Sequence, residues 1–348
     1  NKTVLAFPAV AAITSGTKIG FLFPQGYTFE LTEDVIAEYG IDALRPGLQF
    51  PDDLTLRFST GTRLDSTQAN LFNLGFERAI GTHGAFSANV TRSRTYHVPL
   101  MKDLNPPLPD HPQGVPTHEY DTVNVGSIAA VVTEGQAWYS GLDLNWKWQS
   151  GIGWYNLSYT LSKSEDMGPD PLKGGIYLPP DSDNLNTERG LSDNDRRHRF
   201  VASGDVGLYF LGLRLSGVFQ YATYLPFNVT TGSDDNLDGI TSDRPEGVGR
   251  NTGVNTPLEP VNAYRAAAGL APVTSLTAPS LVQLDLRLYR PFKVKGRGYG
   301  QAFLQLFNAF NRNNGGLVEG RALATNFGAV IGNAGPPRTF ELGFKMGF

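Results

Sequence analysis

Hydrophobic and polar residues alternate with a period of two along much of the chain, beginning near Asn70. Between residues 138 and 149 the even positions read Trp, Ser, Leu, Leu, Trp and Trp, whereas the odd positions read Tyr, Gly, Asp, Asn, Lys and Gln. After a turn at residues 150–153 the alternation resumes and continues to residue 162. Because successive side chains of a strand point to opposite faces of a sheet, this pattern predicts an antiparallel hairpin with one apolar and one polar face.

The same unit recurs along the chain and predicts four hairpins and a closing strand. The predicted hairpins pair residues 72–76 with 86–90, 138–149 with 155–162, 200–208 with 213–221, and 282–288 with 302–306. The closing strand covers residues 340–348. Together these elements make nine strands, most of them about 10 to 15 residues long. Helical periodicity is scarce, and the best helical candidate is the short stretch 31–39.

The connections between the strands alternate between short and long. Links within a hairpin have a few residues, whereas the links between hairpins cover residues 98–135, 165–192, 226–278 and 311–337. Short turns on one side and long loops on the other are typical of outer-membrane barrels, whose strands need about 9 to 11 residues to cross the hydrocarbon. We therefore predict an all-β fold, an antiparallel transmembrane outer-membrane β-barrel with short periplasmic turns and long extracellular loops. About 9 to 10 strands lie in this chain, as part of a larger barrel.

A secreted β-sandwich is the alternative, because its strands also alternate. Sandwich strands usually have about five or six residues, roughly half the length predicted for this chain. Aromatic residues stand near the strand ends, as in the girdles of a membrane barrel: Trp146 and Tyr155 flank a short turn, and Tyr221 precedes a long loop. In a barrel the polar set would face the lumen, namely Asp143, Asn145, Lys147, Gln149, Arg214, Gln220, Gln283, Asp285 and Arg287.

Composition narrows the function classes. The 348 residues include 40 Gly and 23 Pro but only 18% charged residues, with a net charge of −4, which indicates a loop-rich chain. The absence of Cys excludes a disulfide scaffold, a thiolate zinc site and a cysteine nucleophile. A mildly acidic chain without a Lys/Arg block argues against nucleic acid as a partner. No apolar run approaches the 20 or so residues of a spanning helix, so no helical anchor is expected.

Six segments carry a resemblance to a known family. They are residues 73–78 (NLGFER), 103–107 (DLNPP), 195–200 (DRRHRF), 234–245 (DDNLDGITSDRP), 247–251 (GVGRN) and 306–311 (LFNAFN). In this order they resemble the C-terminal barrel of a TonB-dependent outer-membrane receptor, of the Oar-like type with a carboxypeptidase-regulatory-like N-terminal domain. The resemblance covers residues 67–348. Residues 1–66 match loosely and are interpreted as N-terminal strands and an extracellular loop of the barrel.

The resemblance implies a location in the outer membrane of a Gram-negative-type bacterium and energy-coupled uptake of an unidentified ligand rather than an enzymatic activity. It also implies outer-membrane lipid, lipopolysaccharide and the TonB system as partners. The family has a plug domain inside a larger barrel, and no plug is recognisable in this chain. The plug and the missing strands would then come from the same longer chain or from a partner. The alternative is an outer-membrane structural or interaction barrel that docks a partner through its long loops, without transport.

A candidate calcium loop lies in the segment 234–245. Asp234, Asn236 and Asp238 occupy positions 1, 3 and 5 of a calcium-binding loop, and the carbonyl of Ile240 fits position 7. Position 12 is Pro rather than the usual Glu, and Asp243 could substitute as a ligand. The same residues also fit an acidic surface turn that binds no ion. No other cofactor is expected.

Two further sets of residues have predicted roles. At the start of a strand, alternation places Asp195, Arg197 and Arg199 on one face, which predicts an ion-pair network at the outer rim. Contact of the neighbouring Arg196 with lipopolysaccharide is the alternative use of this segment. The closing strand resembles the signal that the barrel-assembly machinery recognises, carried by Phe340, Leu342, Phe344, Met346 and Phe348.

Overall fold

The computed structural model describes residues 20–22, 28–30, 64–108, 127, 129–169, 177–209, 212–293, 298–333 and 335–347. The described elements are β1 Gly20–Leu22, β2 Thr28–Glu30, β3 Gln68–Ile80, β4 Gly84–Asp103, β5 Ala129–Ser150, β6 Gly153–Asp166, β7 Gly190–Leu191, β8 His198–Gly207, β9 Arg214–Ala222, α1 Leu258–Ala267, β10 Leu281–Lys293, β11 Tyr299–Phe307, β12 Gly315–Val318, β13 Val330–Asn333 and β14 Thr339–Gly347, with 3-10 turns at Leu185–Glu188 and Gly253–Asn255. The predicted helix at 31–39 lies outside the described residues.

One antiparallel sheet organises the molecule. Its strands follow the order β14-β11-β10-β9-β8-β6-β5-β4-β3, and β7 adds two residues beside β6. The four predicted hairpins and the closing strand are confirmed, because each strand pairs with its neighbour in the predicted antiparallel arrangement. Within the described part of the chain, β3 and β14 each pair on one side only, so the sheet is an open segment of a barrel wall.

The register gives the sheet one apolar and one polar face. Phe86, Trp146, Leu157, Ala202 and Phe219 are paired in one row across five strands. The large side chains of this face are exposed, for example Phe72 at 60% and Leu342 at 85%. In a sandwich this face would be the core. Its exposure is what a wall that contacts lipid requires.

The opposite face carries the predicted lumen residues. The neighbouring row pairs Asn145, Ser158, Val201, Gln220 and Gln283. Nearly every position along this row is polar, which separates the two faces across the whole width of the sheet. A barrel closed from this wall has a polar interior, as predicted.

The buried apolar residues lie at the long-loop end of the sheet rather than within it. We call this region the cap: the described residues of the long loops after β6, β9 and β11, together with the outer ends of β4 and β5. Its largest cluster joins the loops after β9 and β11. Two smaller clusters pack the loop after β6 against the outer ends of β4 and β5. The buried members are Val229, Val248, Val261, Leu276, Ala322, Phe327, Leu100, Val132, Met167, Leu185, Met101, Ala129 and Leu178.

The structure corrects the predicted link 98–135. β4 continues to Asp103 and β5 begins at Ala129, so these strands have 20 and 22 residues instead of about 10 to 15. The register shifts at Val98, beside His97 with its positive φ of 54°, so that the extension turns into the cap. The side chains of this extension are buried in the cap, which explains why the two strands are longer than a membrane span requires.

No described helix is long and apolar enough to cross a membrane.

Candidate functional site

Arg250 links the loop after β9 to the rest of the cap through hydrogen bonds and an ion pair. Its guanidinium donates to the carbonyl oxygens of Asp166 and Glu188, at 2.8 Å each, and forms an ion pair with the Asp166 carboxylate. Asp193 lies 3.8 Å away. The side chain of Arg250 is only 2% exposed, so these acceptors replace the water that a guanidinium would otherwise bind.

A second buried arginine, Arg244, holds the loop after β6. It pairs with the Glu188 carboxylate and donates to the Tyr177 hydroxyl at 2.6 Å. Tyr177 in turn donates to Glu188 at 2.5 Å. Burial, reinforced by the Glu188 carboxylate, raises the pKa of Tyr177 above its usual range, so Tyr177 remains a donor at all physiological pH values.

A third arginine, Arg265 of α1, joins the loops after β9 and β11. Its guanidinium donates to the carbonyl oxygens of Ala271, Ala322 and Ala324 and lies 5.4 Å from the centre of the Phe327 ring. Together, the three arginines connect every long loop of the described cap. The cap is therefore a folded surface rather than a set of independent loops.

Sequence reasoning missed these roles, although Arg244 and Arg250 belong to two of the segments that carry the family resemblance, 234–245 and 247–251. An arginine between Gly and Pro residues in a long loop is a usable signal, because such a side chain needs acceptors from elsewhere in the fold. No periodicity indicates which acceptors those are.

The lumen wall carries a satisfied polar cluster near the short turns. Arg214 pairs with the Asp205 carboxylate, which also accepts hydrogen bonds from Ser216 at 2.7 Å and Tyr289 at 2.8 Å. Asp205 is buried although it lies on the lumen face. This cluster has no spare charge and is suited to bracing the wall.

Arg287, halfway along β10, is the contrasting cation on the same face. Its guanidinium carbon lies 4.0 Å from the centre of the Phe303 ring and 5.7 Å from that of Tyr289. Its Nε is buried without a hydrogen-bond partner, and no ion pair involves Arg287 in the described part of the chain. A cation supported by rings and lacking an acid can bind an anionic group in the lumen.

Gly343 makes this arrangement possible. It pairs directly with Phe303 in the sheet, and the Phe303 ring occupies the space that a side chain at position 343 would need. The glycine thus allows the ring to lie across β14 beside Arg287.

The candidate calcium residues come together, but their oxygens already accept hydrogen bonds from backbone N–H groups. Asp234 accepts from Gly239 at 2.9 Å, Asp238 from Ile240 at 2.8 Å, and Asp243 from Asp235 at 2.7 Å. Gly239 has a φ of 84°, which gives the loop its turn. Asn236 donates to Asp238 at 3.2 Å.

Burial and mutual repulsion strain this loop electrostatically. Burial, with the nearby charges of Asp243 and Asp234, raises the pKa of Asp238 to about 7. Burial raises the pKa values of Asp234 and Asp243 as well. Within the described residues no group of three or more His, Asp or Glu side chains is arranged to hold a metal ion. Calcium binding stays a prediction.

Two of the three predicted rim residues, Asp195 and Arg197, line a cleft of about 230 Å³ between the sheet and the cap. Asp195 accepts a hydrogen bond from the Ser164 N–H at 2.7 Å and lies 3.9 Å from Arg197. Arg199 forms no ion pair with described residues. His198 faces the lipid side, where its ring stacks on Tyr159 and the Tyr159 hydroxyl lies 2.8 Å from Nδ1. The three-residue network stays a prediction.

The predicted assembly residues lie on β14. Phe340, Leu342, Phe344 and Met346 are exposed on the apolar face. Phe348 lies outside the described residues. Recognition by the assembly machinery stays a prediction.

Two solved structures are similar to the chain. The outer membrane transporter YddB from Escherichia coli has 10% identity and a TM-score of 0.48, over 84% of this chain and 34% of that one. The FrpB iron transporter from Neisseria meningitidis, F3-3 variant, has 13% identity and a TM-score of 0.43, over 83% of this chain and 32% of that one. The chain spans about a third of the length of these transporters. No curated protein matches it.

A family model described as "Outer membrane beta barrel domain" matches residues 47–341. The match extends over most of the chain and includes β3 to β11 in full and the first three residues of β14. The bacterial outer membrane is the location of such barrels, and the family is not an enzyme family. The chain therefore belongs to the outer membrane beta barrel domain family.

Proposed function

We propose that the chain is the barrel portion of a TonB-dependent receptor of the Oar-like type, which takes up a ligand with energy supplied through TonB. Lipopolysaccharide and TonB are its proposed partners. The ligand is unidentified. The plug and the remaining strands are supplied by the same longer chain or by a partner.

The polar wall with Arg287 is the observation that carries the proposal. A barrel that serves only as a scaffold is expected to pair a wall arginine with an acid, as Arg214 is paired with Asp205, because a partly buried cation without an acid costs desolvation energy. A receptor lumen uses such a group to bind an acidic side chain of a plug or an anionic part of a ligand. The cap supports the same function, because its buried arginines fix the surface that a ligand meets first.

The open edges of the sheet support a larger barrel. β3 and β14 present unpaired backbone groups on one side within the described residues. In lipid each such group costs several kcal/mol, so further strands must pair with both edges. A barrel wide enough to house a plug is the form that this requirement favours.

A comparison of spent growth media tests the proposal while the ligand is still unidentified. Medium from the wild-type strain is compared by mass spectrometry with that of a strain lacking this gene and of a strain lacking TonB. We expect at least one compound that the wild type depletes and that both mutants leave behind. If every compound is consumed equally by the three strains, the protein is not a TonB-dependent transporter.

Matched variants of Arg287 and Arg290 test whether uptake depends on the lumen face of the wall. Both arginines lie on β10, but alternation places Arg287 on the lumen face and Arg290 on the lipid face. Arg287→Gln is expected to reduce uptake of the depleted compound, whereas Arg290→Gln leaves uptake unchanged. A non-transporting barrel that docks a partner through the cap would be insensitive to both substitutions.

A further inference from the structure

Basic and aromatic side chains gather on the lipid face of β4, β5 and β6, where these strands approach the cap. The register orders them in rows across these strands. Val90, Leu142 and Leu161 form one apolar row. The next row towards the cap contains Arg92, Ser140 and Lys163, and the one after it contains Arg94, Trp138 and Glu165.

Arg189, which precedes β7, completes this group. Its guanidinium carbon lies 4.2 Å from the centre of the Trp138 ring, on which Arg94 also lies at 5.9 Å. Arg94 is in addition 4.9 Å from the centre of the Tyr96 ring. We call the set the rim patch, defined by Arg92, Arg94, Lys163, Arg189, Trp138, Tyr96 and Glu165.

The rim patch has an excess of positive charge. Glu165 is its single acid, and it is shared by Lys163 at 2.8 Å and Arg189 at 3.2 Å. Glu165 is 19% exposed, whereas Lys163 is 46% and Arg189 is 50% exposed. Arg92 and Arg94 are exposed and form no ion pair with described residues. Four cations therefore face outward around one recessed carboxylate.

The position of the rim patch relative to the membrane indicates its ligand. The row directly below is apolar and exposed, with Val90 at 44%, so it contacts lipid tails. Aromatic rings such as Trp138 mark the boundary between tails and headgroups. At that boundary, on the long-loop side, the anions available to a guanidinium are the phosphates of outer-leaflet lipid, with which arginine forms bidentate hydrogen bonds.

We propose that the rim patch binds the phosphate groups of a phosphorylated glycolipid, the lipid A moiety of lipopolysaccharide. The rings hold the guanidinium groups flat and thereby reduce the entropy lost on binding. The inference depends on the outer-membrane location and not on transport. A failed uptake experiment would leave it intact.

Binding of diphosphoryl lipid A to the complete gene product in detergent, followed by native mass spectrometry, tests the inference. The double variant Arg92→Ala with Arg94→Ala is expected to weaken binding at least about tenfold. Arg290→Ala is the matched control, an exposed arginine on the lipid face at the opposite end of the wall. Both proteins are checked for folding by heat-dependent mobility on gels. Uptake by the double variant is expected to stay at the wild-type level.

The unaltered protein should bind dephosphorylated lipid A more weakly than diphosphoryl lipid A, by about the same factor as the double variant loses. Inorganic phosphate at an equal concentration should not displace diphosphoryl lipid A from the unaltered protein. The inference is overturned if the folded double variant binds diphosphoryl lipid A as well as the control does. It is equally overturned if the dephosphorylated lipid binds as tightly, or if inorganic phosphate displaces the lipid and so identifies a site for a soluble anion.

Discussion

Arg250 and Asp166, 84 residues apart in the chain, are joined by two hydrogen bonds from a single guanidinium nitrogen. One bond reaches the backbone carbonyl of Asp166 and the other its carboxylate. The last residue of β6 is thereby fixed to a loop that follows β9. This contact closes the cap over the end of the sheet.

Replacing Arg250 should loosen the cap without unfolding the wall. Arg250→Met leaves the half-buried Asp166 carboxylate and the buried Glu188 carbonyl without their donor, and leaving buried acceptors unsatisfied in this way costs about 1–3 kcal/mol. Hydrogen exchange in detergent should show faster exchange in residues 177–197 and 223–280 and unchanged exchange in β8 and β9. Arg312→Met, at an exposed arginine of the cap whose side chain forms no ion pair with described residues, is the control and should change little. Equal exchange in the two variants would contradict the role of Arg250.

The packing of Phe303 over Gly343 predicts that a larger side chain at position 343 destabilises the barrel wall. Gly343→Val displaces the Phe303 ring and so removes the aromatic contact of Arg287. We expect a cost of about 1–3 kcal/mol, seen as a lower urea midpoint of the folded form on gels. Gly151→Ala, in a short turn with open space around it, is the matched control and should leave the midpoint unchanged.

The ion pair of Glu319 with Arg321 predicts a dependence on acid. Hydrogen bonds from Arg321 lower the pKa of Glu319 from 4.5 to about 2, despite the opposing effect of burial. A lowered pKa contributes stability above about pH 4.5 and loses it as the pH falls towards 2. Carboxyl chemical shifts of Glu319 should report the transition near pH 2. In Glu319→Gln the stability of the β12–β13 hairpin should no longer change across that range, and a wild-type profile in this variant would rule out the effect.

The predicted calcium loop has a direct test in metal removal. A cation would relieve the repulsion among Asp234, Asp238 and Asp243, so calcium should slow hydrogen exchange in residues 233–244 and a chelator should reverse the change. Asp238→Asn should abolish the response to calcium. If exchange is the same with calcium and with chelator, the loop is an acidic turn held by its own hydrogen bonds.

The wall was predictable from the sequence because one face of the sheet contacts lipid and the other faces the water-filled lumen. Leu142 contacts lipid and Asp143 faces the lumen, and this alternation persists through nine strands. The outer end of β5 was not predictable in this way. Residues 129–132 are all buried in the cap, so both faces of the strand are apolar in this segment. The alternation is therefore absent, and the sequence shows only a continuous apolar run.

The cap was beyond sequence reasoning for a related reason. The fully buried residues of α1 are Val261 and Arg265, so a charged residue occupies a core position and interrupts the apolar side formed by Leu258, Val261 and Tyr264. The acceptors of Arg250 and Arg265 lie in other loops, at separations that no local pattern encodes. The motif segments 234–245 and 247–251 indicated a family, but only the folded cap gives Arg244 and Arg250 a physical role.

The sheet is the wall of an outer-membrane barrel, with lipid on one face and a polar lumen on the other. These 348 residues contain no Cys, so single cysteines can be placed at each position from 139 to 148 and spin-labelled in membranes, in a complete protein whose cysteines outside this chain are replaced by Ser. Accessibility to oxygen, which dissolves in lipid, should peak at the even positions, and accessibility to a water-soluble nickel complex should peak at the odd ones. Equal accessibility of odd and even positions to both reagents would contradict a membrane-spanning wall.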